Sequence, residues 1–162
     1  MKNLRVPLCI LTAIYVLFLL GGCGKATVVT AAVKKESEAG WLTNYEQGQR
    51  KAKADHKLVL LNFTGSDWCG WCIKLDNEVF SKPAFKNYAE KNLVLVEVDF
   101  PRNKPMTDEV KNQNAQLAQQ YQIQGFPTIM VLNGEGKPVG ALGYTQGGPD
   151  AFIAELEKLR KG

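Results

Sequence analysis

Two cysteines with two residues between them, Cys69-Gly-Trp-Cys72, follow an apolar run, Leu58-Val-Leu-Leu-Asn-Phe63, and open a stretch of helical periodicity. The run has the length and content of a buried strand. A cysteine at the start of the next helix has its sulfur beside amides that lack a partner within that helix. Those amides and the helix dipole stabilise a thiolate and lower the pKa of Cys69. Cys72, one turn further in, is more buried and less acidic. It can attack a mixed disulfide on Cys69 and release the reduced partner. Gly70 lets the chain turn closely between them. In an oxidising compartment, two thiols so spaced at a strand-to-helix junction can close a small ring and act as a redox couple.

The other cysteines narrow the chemistry. The 162 residues contain four cysteines and one histidine, His56. Cys9 lies in an apolar N-terminal segment and Cys23 closes it. The two that remain cannot build a disulfide framework, and a structural zinc site needs four cysteines or three with a histidine. No metal ion and no cofactor is expected. Lys and Arg number 20 and Asp and Glu 16, a net +4 that is too small an excess for a nucleic-acid partner. The 45% apolar and 22% charged content is that of a globular domain.

The N-terminus reads as an address. Lys2 and Arg5 precede Val6 to Leu20, fifteen almost continuously apolar residues, where a spanning helix needs roughly 20. Basic, apolar and then small residues in that order form a secretory signal. Leu20-Gly21-Gly22-Cys23 resembles the lipobox of bacterial lipoproteins. That resemblance implies cleavage before Cys23 and a lipid on its sulfur and new amino terminus, and several acyl chains anchor stably. The other reading is an uncleaved, short membrane anchor. Either way the rest of the chain belongs to the cell envelope, held at a membrane and facing the periplasm. The expected organisation is a signal over 1–22, a lipidated N-terminus and tether over 23–40, and a domain over 41–162.

Within the domain, Thr43 and Glu46 have the spacing of a capping box. Trp41, Tyr45, Gly48 and Ala52 recur at helical intervals, so a helix is expected to about Asp55. A strand follows at Leu58–Phe63, then helices over Gly70–Phe80 and from Pro83 to Lys91. Leu93–Asp99 is a second buried strand, and Asp108–Gln120 a polar helix. Phe126–Leu132 and Pro138–Tyr144 flank the turn signal Asn133-Gly-Glu-Gly136 as a hairpin. Pro149 opens a last helix, with Phe152, Ile153, Leu156 and Leu159 on one face. The order α-β-α-α-β-α-β-β-α predicts an α/β fold, a central mixed β-sheet with helices on both faces.

These residues reach a family. From about Trp41 to Lys161 the chain resembles the thioredoxin superfamily, and within it the bacterial envelope proteins related to the C-terminal domain of the DsbD reductase. The strand Leu58–Phe63, the loop to Trp68, the Cys69–Cys72 pair and Gly125-Phe-Pro-Thr128 carry the resemblance. It implies a thioredoxin-like fold in which Pro127 is cis and faces the disulfide. It also implies that Phe126, Pro127 and Thr128 contact the substrate, the backbone of Phe126 pairing with it as an added strand. Trp68 and Trp71 flank the cysteines as a substrate platform or as core packing. The superfamily carries a buried acid on the first strand, and the comparable position here is Asn62, which cannot take a proton. Asn62 and Asp67 are the candidate members of a proton relay, with Glu97, Asp99 or a water as substitutes. The plainer reading makes Asp67 a cap of the following helix, and Glu97 and Asp99 ordinary solvated or paired acids.

The resemblance implies a thiol–disulfide oxidoreductase that reduces protein disulfides in the envelope. Its expected partners are disulfide- or thiol-containing envelope proteins and a membrane thiol electron donor, with the enzyme itself a monomer. Two alternatives stand beside it. One is a disulfide isomerase, since an aromatic second residue within the pair occurs there. The other is a Cu(I)-binding protein using the soft thiolates, for which His56 lies before the first strand, at its wrong end.

Overall fold

The computed structural model describes residues 40–161, so the expectations for the signal, for Cys23 and for the tether lie outside the described residues. Strand β1 (Leu58–Thr64) is central and buried on both faces. On one side it pairs in parallel with β2 (Leu93–Asp99), from Leu58 opposite Leu93 to Thr64 opposite Asp99. On the other it pairs antiparallel with β3 (Thr128–Leu132), which pairs antiparallel with β4 (Pro138–Leu142). The sheet order is therefore β2-β1-β3-β4. Leu42 adds a single parallel bridge beside Val96, so the chain comes in along the outer edge of β2, in the direction of that strand.

Alternation along the strands divides the core. Leu60, Leu95, Ile129 and Val131 face one way, against Leu75 of α2 (Gly70–Leu75), Phe85 of α3 (Pro83–Asn92) and Phe152 of α5 (Gly148–Lys161). Val59, Leu61, Phe63, Val94, Val96 and Val98 face the other way, against Ala52 of α1 (Tyr45–Asp55) and Leu117 of α4 (Asp108–Gln120). Helices thus cover both faces, as a thioredoxin-like fold requires. Phe80, Phe85 and Phe152 form an aromatic cluster, with centroids 4.9 Å apart for Phe80–Phe85 and 5.6 Å for Phe80–Phe152. Gly48 lets α1 lie close on β2, because a Cβ there would run into the Val96 side chain.

Local details depart from the expected pattern. Asn44 caps α1, its side chain accepting from Gln47 N at 2.7 Å, so the Thr43–Glu46 capping box is not used. Asparagine is at least as good a cap as threonine. The expected helix to Phe80 keeps its α pitch only to Leu75 and continues as a π-helix over Asp76–Phe80, which brings both Val79 and Phe80 into the core. Strand β3 begins at Thr128, opposite Phe63, rather than at Phe126. Pro127 before it has no N–H to give to a ladder. Strand β4 ends at Leu142, where its pairing with β3 ends at Ile129.

Candidate active site

The loop after β1 turns on itself, with Trp68 N and Cys69 N both donating to Gly65 O at 3.1 and 2.8 Å. This places Cys69 at the N-cap of α2. Its Sγ accepts from Cys72 N at 3.2 Å, and the two cysteines are joined as a disulfide. Cys69 is 7% exposed and Cys72 5%. The pair thus sits at the C-terminal end of the central strand, with its sulfur facing a helix amide.

Two acids hold the surrounding loops. Asp99, at the end of β2, accepts from Ser66 N at 2.9 Å and from Ser66 Oγ at 2.5 Å. Asp67 accepts from Arg102 N at 3.0 Å and from Asn103 N at 2.6 Å. Asp67 therefore ties the active-site loop to the segment after β2 and does not cap α2, whose capping acceptor is the Cys69 sulfur. The Arg102 amide, ahead of the others, holds the Asp67 carboxyl below its ordinary value. A carboxyl whose folded pKa is lowered contributes its bond above the ordinary pKa and loses it as pH falls through the lowered value. Protection of the Arg102 and Asn103 amides, taken relative to the intrinsic exchange rate at each pH, is therefore expected to persist through neutral pH and to fall only below the ordinary carboxyl value of about 4. In Asp67→Ala that protection is low throughout, and protection equal to the parent's would contradict the tie.

Aromatic side chains wall the disulfide on two sides. Trp68 donates its indole N–H to Phe100 O at 2.8 Å and meets Phe126 edge-on at 5.9 Å. Phe126 stacks on Phe100 at 5.2 Å, and the Arg102 guanidinium lies 4.1 Å over the Trp68 ring. On the other side Trp71 lies 5.2 Å from Tyr144. Tyr144 donates to Glu78 at 2.6 Å, and Glu78 pairs with Lys74 at 3.2 Å. Trp71 is 59% exposed and Trp68 37%, and with Ile73 they are the large apolar side chains left open among the described residues. Trp68 is thus partly packed, whereas Trp71 presents itself to solvent. Gly70 has open space where a Cβ would stand. The Phe126–Pro127 bond is cis, and Thr128 Oγ1 donates to Gly125 O at 2.8 Å.

Asn62 is buried on β1, opposite Glu97 of β2 and Ile129 of β3, and its Oδ1 has no hydrogen-bond partner. Burial, and then the charge of Asp99, push the Glu97 carboxyl above its ordinary value. His56 caps the far end of α1, before Leu58. The seven residues of β1 separate it from the cysteines by about 20 Å, so it cannot join them in holding Cu(I). No motif or spacing in the sequence points to Phe100, Arg102, Lys104, Glu78 or Tyr144. They come from the segments after β2 and β4 and from the π-helix, and only the folded loops bring them to the cysteines.

Comparison with known proteins places this geometry. The family model for the thioredoxin-like domain matches residues 45–160. The chain is 36% identical over 118 residues to the disulfide bond reductase DsbH of Chlamydia pneumoniae, covering 73% of this chain and 71% of that protein. It is 30% identical over 124 residues to the thiol:disulfide interchange protein DsbD of Vibrio vulnificus, covering 73% of this chain but only 19% of DsbD. A solved structure of a DsbH oxidoreductase matches with a TM-score of 0.71 at 33% identity, covering 80% of this chain and 92% of that one.

Proposed function

We propose that this chain, which belongs to the thioredoxin-like domain family and is a thiol–disulfide oxidoreductase, works in the reducing direction on protein disulfides of the bacterial cell envelope. The observation that carries the reading is the disulfide itself, with Cys69 at the N-cap of α2, its sulfur receiving the Cys72 amide. In the reduced protein the Cys69 thiolate attacks one sulfur of a partner disulfide. That bond breaks, a mixed disulfide forms and one partner thiolate leaves. Cys72 then attacks Cys69 Sγ, which frees the second partner thiolate and closes the Cys69–Cys72 bond. Two electrons pass to the partner, and a membrane thiol donor returns them. The likeness to a disulfide bond reductase over most of both chains favours this direction.

The partner chain lies between the two aromatic walls. The backbone at Phe126 and Thr128 pairs with it as a strand, Pro127 faces the disulfide, and Trp68 and Trp71 give it an apolar floor and side. Cys23 carries lipid, residues 1–22 are removed as a signal, residues 23–40 tether the domain 41–162, and the enzyme acts as a monomer at the periplasmic side of a membrane.

The test is the reduction potential of the Cys69–Cys72 pair, measured by equilibration with dithiothreitol or glutathione on the chain with Cys9 and Cys23 replaced by serine. A value near that of thioredoxin, about −270 mV, is expected. A value between about −120 and −180 mV, the range of strong oxidants and isomerases, would overturn the reductase reading.

A further inference from the structure

Thiol–disulfide exchange moves a proton as well as electrons. Cys72 is buried, and its thiol must lose a proton before the sulfur attacks Cys69. Asn62 stands where the superfamily keeps an acid, and it cannot accept that proton. Asp67 and Asp99 already bind the amides of Arg102, Asn103 and Ser66.

Three observations converge on another group. Asn62 and Glu97 are neighbours across the parallel ladder. By strand alternation both point to the face that α2 covers, the face of Leu60, Leu95 and Ile129, against which Leu75 of α2 packs. Asn62 Oδ1 is buried there with no donor to accept from. Finally, a cavity of about 240 Å³ opens beside Glu97 at the end of β2, with Asp99, Lys104, Thr107 and Asn114 among its lining. Glu97 is thus the carboxyl that stands between the inner face of the sheet and an opening that sets a few polar side chains among apolar ones such as Pro101, Met106 and Val110.

We propose that Glu97 accepts the Cys72 proton, that Asn62 Oδ1 receives the O–H of the protonated Glu97 carboxyl, and that the cavity returns the proton to solvent. This rests on the oxidoreductase reading and adds to it the acid that the first strand lacks. In the step, the Cys72 S–H bond breaks and the Glu97 O–H bond forms. The Cys72 sulfur then bonds to Cys69, and the partner leaves as a thiolate with the electron pair of the broken bond. Asn62 is a positioning residue that holds the acid form. The charged groups around Glu97 are Asp99 on its own strand, Asp76 from the start of the π-helix and Lys104 from the segment after β2. Burial and Asp99 both push its carboxyl upward, and Lys104 opposes them. The net rise brings a carboxyl closer to the pH at which thiols exchange, where proton transfer is most effective.

The experiment is a single turnover of the reduced full chain with a peptide disulfide, followed by rapid quench over a range of pH. It reads the release of the second peptide thiol. Glu97→Gln is expected to slow that release at least about tenfold at neutral pH and to remove the carboxyl limb of the pH profile. Glu97→Asp keeps the limb, shifted in pH. The pair Asn62→Asp with Glu97→Gln, which moves the acid to the neighbouring strand, restores it. A Glu97→Gln profile that superimposes on the parent overturns the proposal. So does a uniform loss of rate with the shape unchanged, or a double variant no better than Glu97→Gln. Absence of peptide release by the parent chain at every pH would instead overturn the oxidoreductase reading, and the proton route with it.

Discussion

Replacing Cys69 with serine abolishes reduction of an insulin-type disulfide, by about a thousandfold or more. Loss of a nucleophile that works together with a second group removes nearly the whole of the chemical step. Serine is among the best N-cap residues, so α2 keeps its start and the loss reports chemistry rather than folding. The Cys72→Ser chain fails differently. Its Cys69 still attacks, but nothing resolves the product, so the partner stays bound through a mixed disulfide, visible as a heavier species on a non-reducing gel. Undiminished turnover by Cys69→Ser, or adducts on Cys72 in place of Cys69, would reverse the assignment of roles.

Phe152→Ala is expected to lower the stability of the oxidised chain by about 3–5 kcal/mol, read from the midpoint of urea unfolding. Phe152 is 1% exposed and meets Phe80 and Phe85 edge-on, at 5.6 and 6.0 Å. Truncation loses the transfer free energy of the ring and leaves a cavity between α5, α3 and the π-helix that three helical segments and a sheet cannot collapse to fill. Phe152→Leu retains part of the volume and costs less. A loss under about 1 kcal/mol for the alanine variant would mean that α5 repacks freely on the sheet.

The sequence conveyed the fold through patterns that are local. Leu58–Phe63 and Leu93–Asp99 were legible as buried strands because both of their faces are covered, which leaves an apolar run with no alternation to misread. The cysteine pair was legible for the same reason, since a cap and the turn that follows it lie within four residues. What escaped reading depends on distant partners. No spacing in Asp76-Asn-Glu-Val-Phe80 announces a π-helix, because the extra residue per turn is set by Val79 and Phe80 both finding the core. Asp67 looked like a cap, and only the returning segment at Arg102 and Asn103 shows what it binds. Tyr144 reaches Trp71 because β4 ends two residues earlier, a register that hairpin patterning fixes to no better than a residue or two. Glu97 is one of several acids that the sequence offers to a proton relay, and only the residue opposite it in the ladder sets it apart from Asp67 and Asp99.

The Leu42 bridge fixes where the described chain begins relative to its chemistry. Running parallel to β2, it puts Gly40 beside the start of that strand, whereas the disulfide sits past the end of β1, its parallel neighbour. The two lie at opposite poles of the sheet. A fusion partner, a surface linker or an electrode attached ahead of Gly40 therefore grips the domain by its back. The end of the sheet that carries Cys69 is left turned away from the attachment, so immobilised protein should exchange electrons with large substrates as readily as free protein does.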